Sequence, residues 1–119
     1  MLDKKQEIMI IDDEVVNLSV LSEILKPMYT VSVFKSGLEA LAQIEKGKKP
    51  DLILLDINMP DLNGYEVLDR LYQDKRNKDI PVIIITIMDT VLEEEKGLSK
   101  GAVDFITKPF HSQIILARV

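Results

Sequence analysis

Asp12 and Asp13, Asp56, Thr86 and Lys108 stand at the ends of four short apolar runs: Ile8–Ile11, Leu52–Leu55, Val82–Ile85, and Ala102–Ile106, which Asp104 interrupts. Taken singly, each has an ordinary explanation. An acidic pair after a strand is commonly a helix cap, because carboxylates favour helix N-termini. Asp56 precedes Met59-Pro60-Asp61-Leu62-Asn63-Gly64, which is turn chemistry. Thr86 can simply end a strand, and a lysine before Pro109 can be a solvated loop residue. Together they describe a site. Clustered carboxylates repel one another unless one takes up a proton or a cation joins them. A hard divalent cation fits oxygen ligands, and Mg²⁺ is the usual one. The chain has no cysteine and a single histidine, His111, away from the acids, so Zn²⁺ fits poorly. Mg²⁺, the Lys108 ammonium and the Thr86 hydroxyl around a carboxylate suit an incoming phosphoryl group, whose charge develops on its equatorial oxygens. Asp56, from the central run, is the natural nucleophile, leaving Asp12 and Asp13 to hold the metal.

Such a site needs strands that end together. Uninterrupted runs of four or five apolar residues predict strands buried on both faces, as in a parallel sheet. Tyr29–Phe34 alternates instead, with Val31 and Val33 against Thr30 and Ser32, which predicts a strand nearer a sheet edge. Helical spacing fills the gaps. Val16, Val20, Leu21, Ile24 and Leu25 precede Pro27; Leu38, Leu41 and Ile44 follow a Ser36/Glu39 capping signature. Val67, Leu68, Leu71 and Tyr72 follow Gly64, and Leu92 and Leu98 lie between a Thr90/Glu93 capping signature and Gly101. A last helix begins near His111 or Ser112 and reaches Val119 after about two turns, which is marginal for a helix. The natural protein is therefore expected to continue past Val119. Five strand–helix units predict an α/β fold, a flavodoxin-like five-stranded parallel sheet of order 2-1-3-4-5 with helices on both faces and the last helix truncated. In such sheets ligands bind beyond the carboxyl ends of the strands, where the strand order reverses.

Composition narrows the function. Leu, Ile, Val and Phe make up 43 of 119 residues, well above the roughly 20% below which chains stay disordered. The formal net charge is −5 with no offsetting basic run, so direct nucleic-acid binding is not expected. The longest apolar stretch, Ile80–Ile85, is far below the about 20 residues of a membrane helix, and the N-terminus has no signal-peptide pattern. The chain reads as one soluble, cytoplasmic, acidic domain.

With these motifs in this order the chain resembles the receiver domain of two-component response regulators, over essentially its whole length. The residues that carry the resemblance are Asp12-Asp13, Asp56-Ile57-Asn58-Met59-Pro60 with Gly64, Thr86, and Phe105-Ile106-Thr107-Lys108-Pro109-Phe110. It implies that Asp56 accepts a phosphoryl group from the phosphohistidine of a histidine kinase or histidine phosphotransfer domain. It implies Mg²⁺ held by Asp13, Asp56 and the backbone carbonyl of Asn58, with Asp12 contributing, commonly through water. Lys108 would contact a phosphoryl oxygen across an expected cis Lys108–Pro109 bond. Thr86 would move toward the phosphoryl group and Phe105 would rotate inward behind it, shifting the surface of the fourth helix, fifth strand and last helix. Residues 1–119 would be a single receiver domain, the N-terminal part of a longer regulator. Its output would be a domain beyond Val119 or a downstream protein, and a phosphorylation-dependent homodimer is a further expectation.

The sequence also departs from the family pattern. Ile87 stands beside Thr86 where these domains usually have a small residue, and it would restrict approach to the site. Phe105 lacks a tyrosine hydroxyl, so an inward ring would rest on packing alone. Asn58 and Met88 lie where receivers tune dephosphorylation. Glu93-Glu94-Glu95 reads as a solvated helix face, with Arg118 a candidate partner for it across a dimer. Three other functions fit these residues less well. A phosphatase of the haloacid dehalogenase type carries Asp-x-Asp on its nucleophile strand, against Asp56-Ile57-Asn58 here, and its acidic pair comes last in the chain, not first. A flavodoxin-like cofactor binder needs phosphate-binding donors after strand one, where Asp12-Asp13-Glu14 would repel a phosphate. A receiver that no longer takes phosphate, acting only as an interaction module, draws support from Ile87 alone.

Overall fold

The computed structural model describes residues 6–59, 62–86, 91–108 and 112–119, and the side chains of all of these except 91–94, 107, 112 and 114. Pro60, Ile87, Met88, Pro109, Phe110 and His111, the Thr90 cap and the Lys108–Pro109 peptide lie outside the described residues, as do the side chains of Glu93 and Glu94. Strands and helices alternate as β1 (Glu7–Ile11), α1 (Val15–Leu25), β2 (Thr30–Phe34), α2 (Gly37–Glu45), β3 (Leu52–Asp56), α3 (Gly64–Gln73), β4 (Val82–Thr86), α4 (Val91–Ser99), β5 (Asp104–Thr107) and α5 (Ser112–Arg118). The five strands form one parallel sheet in the order β2-β1-β3-β4-β5. The reversal of order therefore falls between β1 and β3, the strands that precede Asp12–Asp13 and end in Asp56.

Strand side chains alternate between the two faces, and helices cover both. Met9, Ile11, Ile53, Leu55, Val82 and Ile84 pack on the side of α2 and α3. Ile8, Ile10, Leu54, Ile83 and Ile85 pack on the side of α1 and α5. This double burial is why the central runs show no polar alternation. The edge position of β2 is as its pattern predicts, but Val33 is largely exposed while Val31 packs against the core.

Two boundaries differ from the sequence expectation. Ala102 belongs to the closing turn of α4 and not to a strand: its N–H donates to the Gly97 carbonyl at 3.1 Å, and Gly101 provides the positive φ of +108° that this helix end requires. The strand accordingly runs from Asp104 to Thr107. The reciprocal capping box closes at α3, where Asn63 Oδ1 accepts from the Glu66 N–H at 3.0 Å and Glu66 Oε1 accepts from the Asn63 N–H at 3.2 Å. Ser36 caps α2 by accepting from the N–H groups of Leu38 and Glu39.

Candidate functional site

Beyond the carboxyl ends of β1, β3 and β5, three carboxylates and one ammonium come together. Asp12 and Asp56 are 0% and 2% exposed, and Thr86 is also buried. Carboxylate oxygens of Asp12, Asp13 and Asp56 lie within 4.8 Å of one another. Lys108 Nζ stands 3.3 Å from Asp56 Oδ1 and 3.5 Å from Asp12 Oδ2. Asp12 Oδ1 accepts from the Glu14 N–H at 3.0 Å, an Asx-type turn ahead of α1, whose own cap residue Glu14 makes no side-chain capping bond. Thr86 ends β4 one residue past Ile85, the register partner of Asp56, and its carbonyl accepts from the Lys108 N–H at 3.0 Å. The sheet register thus fixes the order in which acid, hydroxyl and amine are presented. Asn58 is exposed on the turn that follows Asp56. Phe105 is buried on the α2–α3 face of the sheet.

Among the described residues no hydrogen bond reaches two carboxylate oxygens shut away from solvent, Asp13 Oδ1 and Asp12 Oδ2, the latter being within ion-pair distance of Lys108 at 3.5 Å. Buried acceptors are nearly always satisfied, and an oxygen-only cluster with vacant acceptors is what a hard divalent cation requires. Burial pushes the Asp56 carboxyl up to about 6, helped by the Asp12 charge, while Lys108 opposes the rise. Burial alone would lower the Lys108 ammonium, but the Asp56 and Asp12 carboxylates outweigh it and raise it.

A pH dependence follows for the metal-free chain. Asp56 binds a proton more readily folded than unfolded, so its contribution is full below the unfolded value of 3.8 and is lost as pH rises through about 6. Chelator-treated protein is therefore expected to melt at falling temperature from pH 4 to about 7. Saturating Mg²⁺ should flatten that slope; identical slopes with and without Mg²⁺ would contradict the assignment.

Among the described residues Lys108 is the cation that faces both buried acids. Replacing it (Lys108→Met) is expected to cost the metal-free chain about 2 kcal/mol at neutral pH. That lies below the value for a fully buried broken pair because Asp56 can take up a proton. Mg²⁺ should restore part of the loss in urea unfolding, and unchanged metal-free stability would count against the ammonium as a structural partner.

The turn after Asp56 is held by a glycine. Gly64 starts α3 against the end of β3, its N–H donating to the Ile57 carbonyl at 2.9 Å. A β-carbon there would lie 2.6 Å from the Asp56 carbonyl oxygen and 2.8 Å from Ile57 Cα. The sequence marks Gly64 as a helix entry but carries no sign of this contact. Arg118, considered as a partner across a dimer, pairs within its own chain with Asp104 at 2.9 Å.

Residues 8–119 match the family model of the response regulator receiver domain. The chain belongs to the response regulator receiver family. This receiver is 37% identical over 113 residues to the response regulator PleD of Caulobacter vibrioides, an alignment covering 94% of this chain and 25% of PleD. It is 35% identical over 108 residues to the response regulator MprA of Mycobacterium leprae, covering 91% of this chain and 46% of MprA. The receiver therefore spans a quarter to a half of these relatives. Among solved structures, the chemotaxis protein CheY4 of Vibrio cholerae superposes with a TM-score of 0.90 at 26% identity, over 96% of this chain and 95% of that one. The flavodoxin-like sheet expected from the sequence is the one this family has, and the family is that of the phosphoacceptor domains of two-component systems. Among the described residues no helix is long and apolar enough to cross a membrane.

Proposed function

We propose that Asp56 is the phosphoacceptor of this receiver, that Asp12, Asp13, Asp56 and the backbone carbonyl of Asn58 hold Mg²⁺, and that Lys108 and Thr86 receive the phosphoryl oxygens. The observation that carries this reading is the clustering of the Asp12, Asp13 and Asp56 carboxylates at the strand-order reversal, with Lys108 ion-paired to two of them, Asp12 and Asp56. A carboxylate oxygen of Asp56 attacks the phosphorus of a phosphohistidine on a histidine kinase or phosphotransfer domain. The O–P bond forms as the P–N bond breaks, and the bonding pair returns to the imidazole nitrogen. Bound Mg²⁺ would supply charge neutralisation for the phosphoryl oxygens. Lys108 would leave its contact with the Asp56 carboxylate for a phosphoryl oxygen, so its cation is already in place before transfer. Hydrolysis of the acyl phosphate returns the chain to its starting state, so the only reactions it promotes are its own phosphorylation and dephosphorylation.

Thr86 and Phe105 would carry the change to α4, β5 and α5, since Thr86 ends the strand that pairs with β5. The length of PleD and MprA outside the aligned region supports a receiver, residues 1–119, joined to an output module in a longer cytoplasmic regulator. The same surface would pair two phosphorylated copies. The test is intact mass after incubation with acetyl phosphate and Mg²⁺. One phosphoryl adduct, lost with chelator, is the expected result; an unmodified chain with the donor intact would leave a receiver that acts by contact alone.

A further inference from the structure

Helix α4 rests on the sheet through a residue with no side chain. Of residues 95–99, Gly97 alone is buried, and a β-carbon there would collide with the Phe105 ring and lie 2.6 Å from Ile84 Cδ1. Leu98 beside it is 49% exposed. Over these residues α4 meets the sheet through its backbone, so little side-chain interlocking resists a roll of this half of the helix. Among the described residues, two lysines reach across to α3. Lys96 Nζ stands 4.3 Å above the centroid of the Tyr65 ring, and Lys100 Nζ lies 2.9 Å from Asp69 Oδ2. Lys96 lies on α4 and Lys100 one turn later, just past its end at Ser99, as Tyr65 and Asp69 lie one turn apart on α3, so the contacts form two rungs between these segments. The first rung reaches the aspartate end: Tyr65 follows Gly64, which packs against the Asp56 carbonyl.

We propose that this ladder sets the position of α4 on the sheet and carries a change at Asp56 to α4 through Gly64, Tyr65 and Lys96, alongside the path through Thr86 and Phe105. Lys96 is a positioning residue, acting through Tyr65, and the proposal rests on Asp56 being the phosphoacceptor. A phosphoryl group adds charge and bulk at the end of β3. Any shift of the β3–α3 turn that follows moves the Tyr65 ring, and the ring's attraction for the ammonium above it draws α4 along. The Lys100–Asp69 pair is partly exposed, so salt should loosen that rung, while the buried Tyr65 ring leaves the Lys96 contact less screened.

The experiment is an amide NMR comparison of the parent chain, Lys96→Met and Lys96→Arg, each with Mg²⁺ alone and with Mg²⁺ plus beryllofluoride. Methionine keeps the stem of Lys96 without its charge, and arginine keeps the charge over the ring. In the parent, amides of Gly64 and Tyr65 and of residues 96–100 should shift together. In Lys96→Met the Gly64 and Tyr65 shifts should persist while those of residues 96–100 fall roughly two-fold or more, and Lys96→Arg should restore them. Full α4 shifts in Lys96→Met, or no restoration by arginine, would overturn the ladder while leaving the phosphoacceptor assignment intact. A parent chain with no response even at Gly64 and Tyr65 would overturn the phosphoacceptor assignment, and the ladder with it.

Discussion

Asp56→Asn is expected to take no phosphoryl group from any donor and, without metal, to be more stable than the parent at neutral pH. The loss follows because the amide has no carboxylate oxygen to attack phosphorus. The gain follows from the electrostatics. In the parent, burial and Asp12 push Asp56 up to about 6. Holding it ionised at pH 7 therefore costs at most about 3 kcal/mol relative to an ordinary aspartate. Asparagine has nearly the same shape and removes that cost, while Lys108 keeps its contact with Asp12 at 3.5 Å. The expected net gain is about 1–2 kcal/mol in urea unfolding with chelator, less than the full amount because the Lys108 contact with Asp56 is lost. The stabilisation that Mg²⁺ gives the parent should shrink in the variant. A variant no more stable than the parent, and equally stabilised by Mg²⁺, would mean that Asp56 belongs to no strained acidic cluster.

Gly64→Ala is the second large effect, and it arises from space, not from backbone angle. The added methyl would meet the Asp56 carbonyl oxygen at 2.6 Å and Ile57 Cα at 2.8 Å. Both are main-chain atoms, so no side-chain rotation can relieve the contact, and the start of α3 must lift away from β3. Overpacking of this kind costs about 2–3 kcal/mol. The displacement also moves the turn that carries Asn58, so phosphorylation by acetyl phosphate should slow by about ten-fold or more, as expected for a misplaced reacting group. Gly47→Ala is the control. That position has φ of +108° and nothing within 4 Å, so its cost of roughly 1 kcal/mol is conformational and phosphorylation should be unaffected. Equal stability losses in the two variants, with equal phosphorylation rates, would show that the Gly64 contact does not position the site.

The contrast between these two glycines marks where the sequence stops being informative. The strands themselves and the site's strand-end residues are legible because both depend on local pattern, whereas the order of the strands follows from right-handed crossovers and the resemblance to the receiver family. Runs such as Leu52–Leu55 can be buried only on two faces, and the polar residue after each run must emerge at one end of the sheet. What is not local cannot be read. Nothing in Asp12-Asp13 distinguishes the fully buried acid from the half-buried one, because that depends on where Lys108 arrives from a strand far along the chain. Asn63-x-x-Glu66 is a capping box hidden inside what reads as a turn. Ala102 looks like the start of an apolar strand because the sequence does not show that its N–H is taken by Gly97. Lys96 and Lys100 carry no periodic apolar signal, and only the packing of α4 beside α3 turns two lysines into a pair of rungs.

The most direct test of the central claim asks which atom carries the phosphoryl group. Chain treated with acetyl phosphate and Mg²⁺ is reduced with borohydride, which converts an acyl phosphate to an alcohol and leaves free carboxylates and phosphate esters unchanged. Peptide mass spectrometry then locates the reduced side chain. The result predicted is reduction at Asp56 alone, in treated chain only, and none when Mg²⁺ is withheld. Reduction at Asp12 or Asp13, or a phosphoryl adduct that survives borohydride, would contradict the assignment of Asp56 as the acceptor.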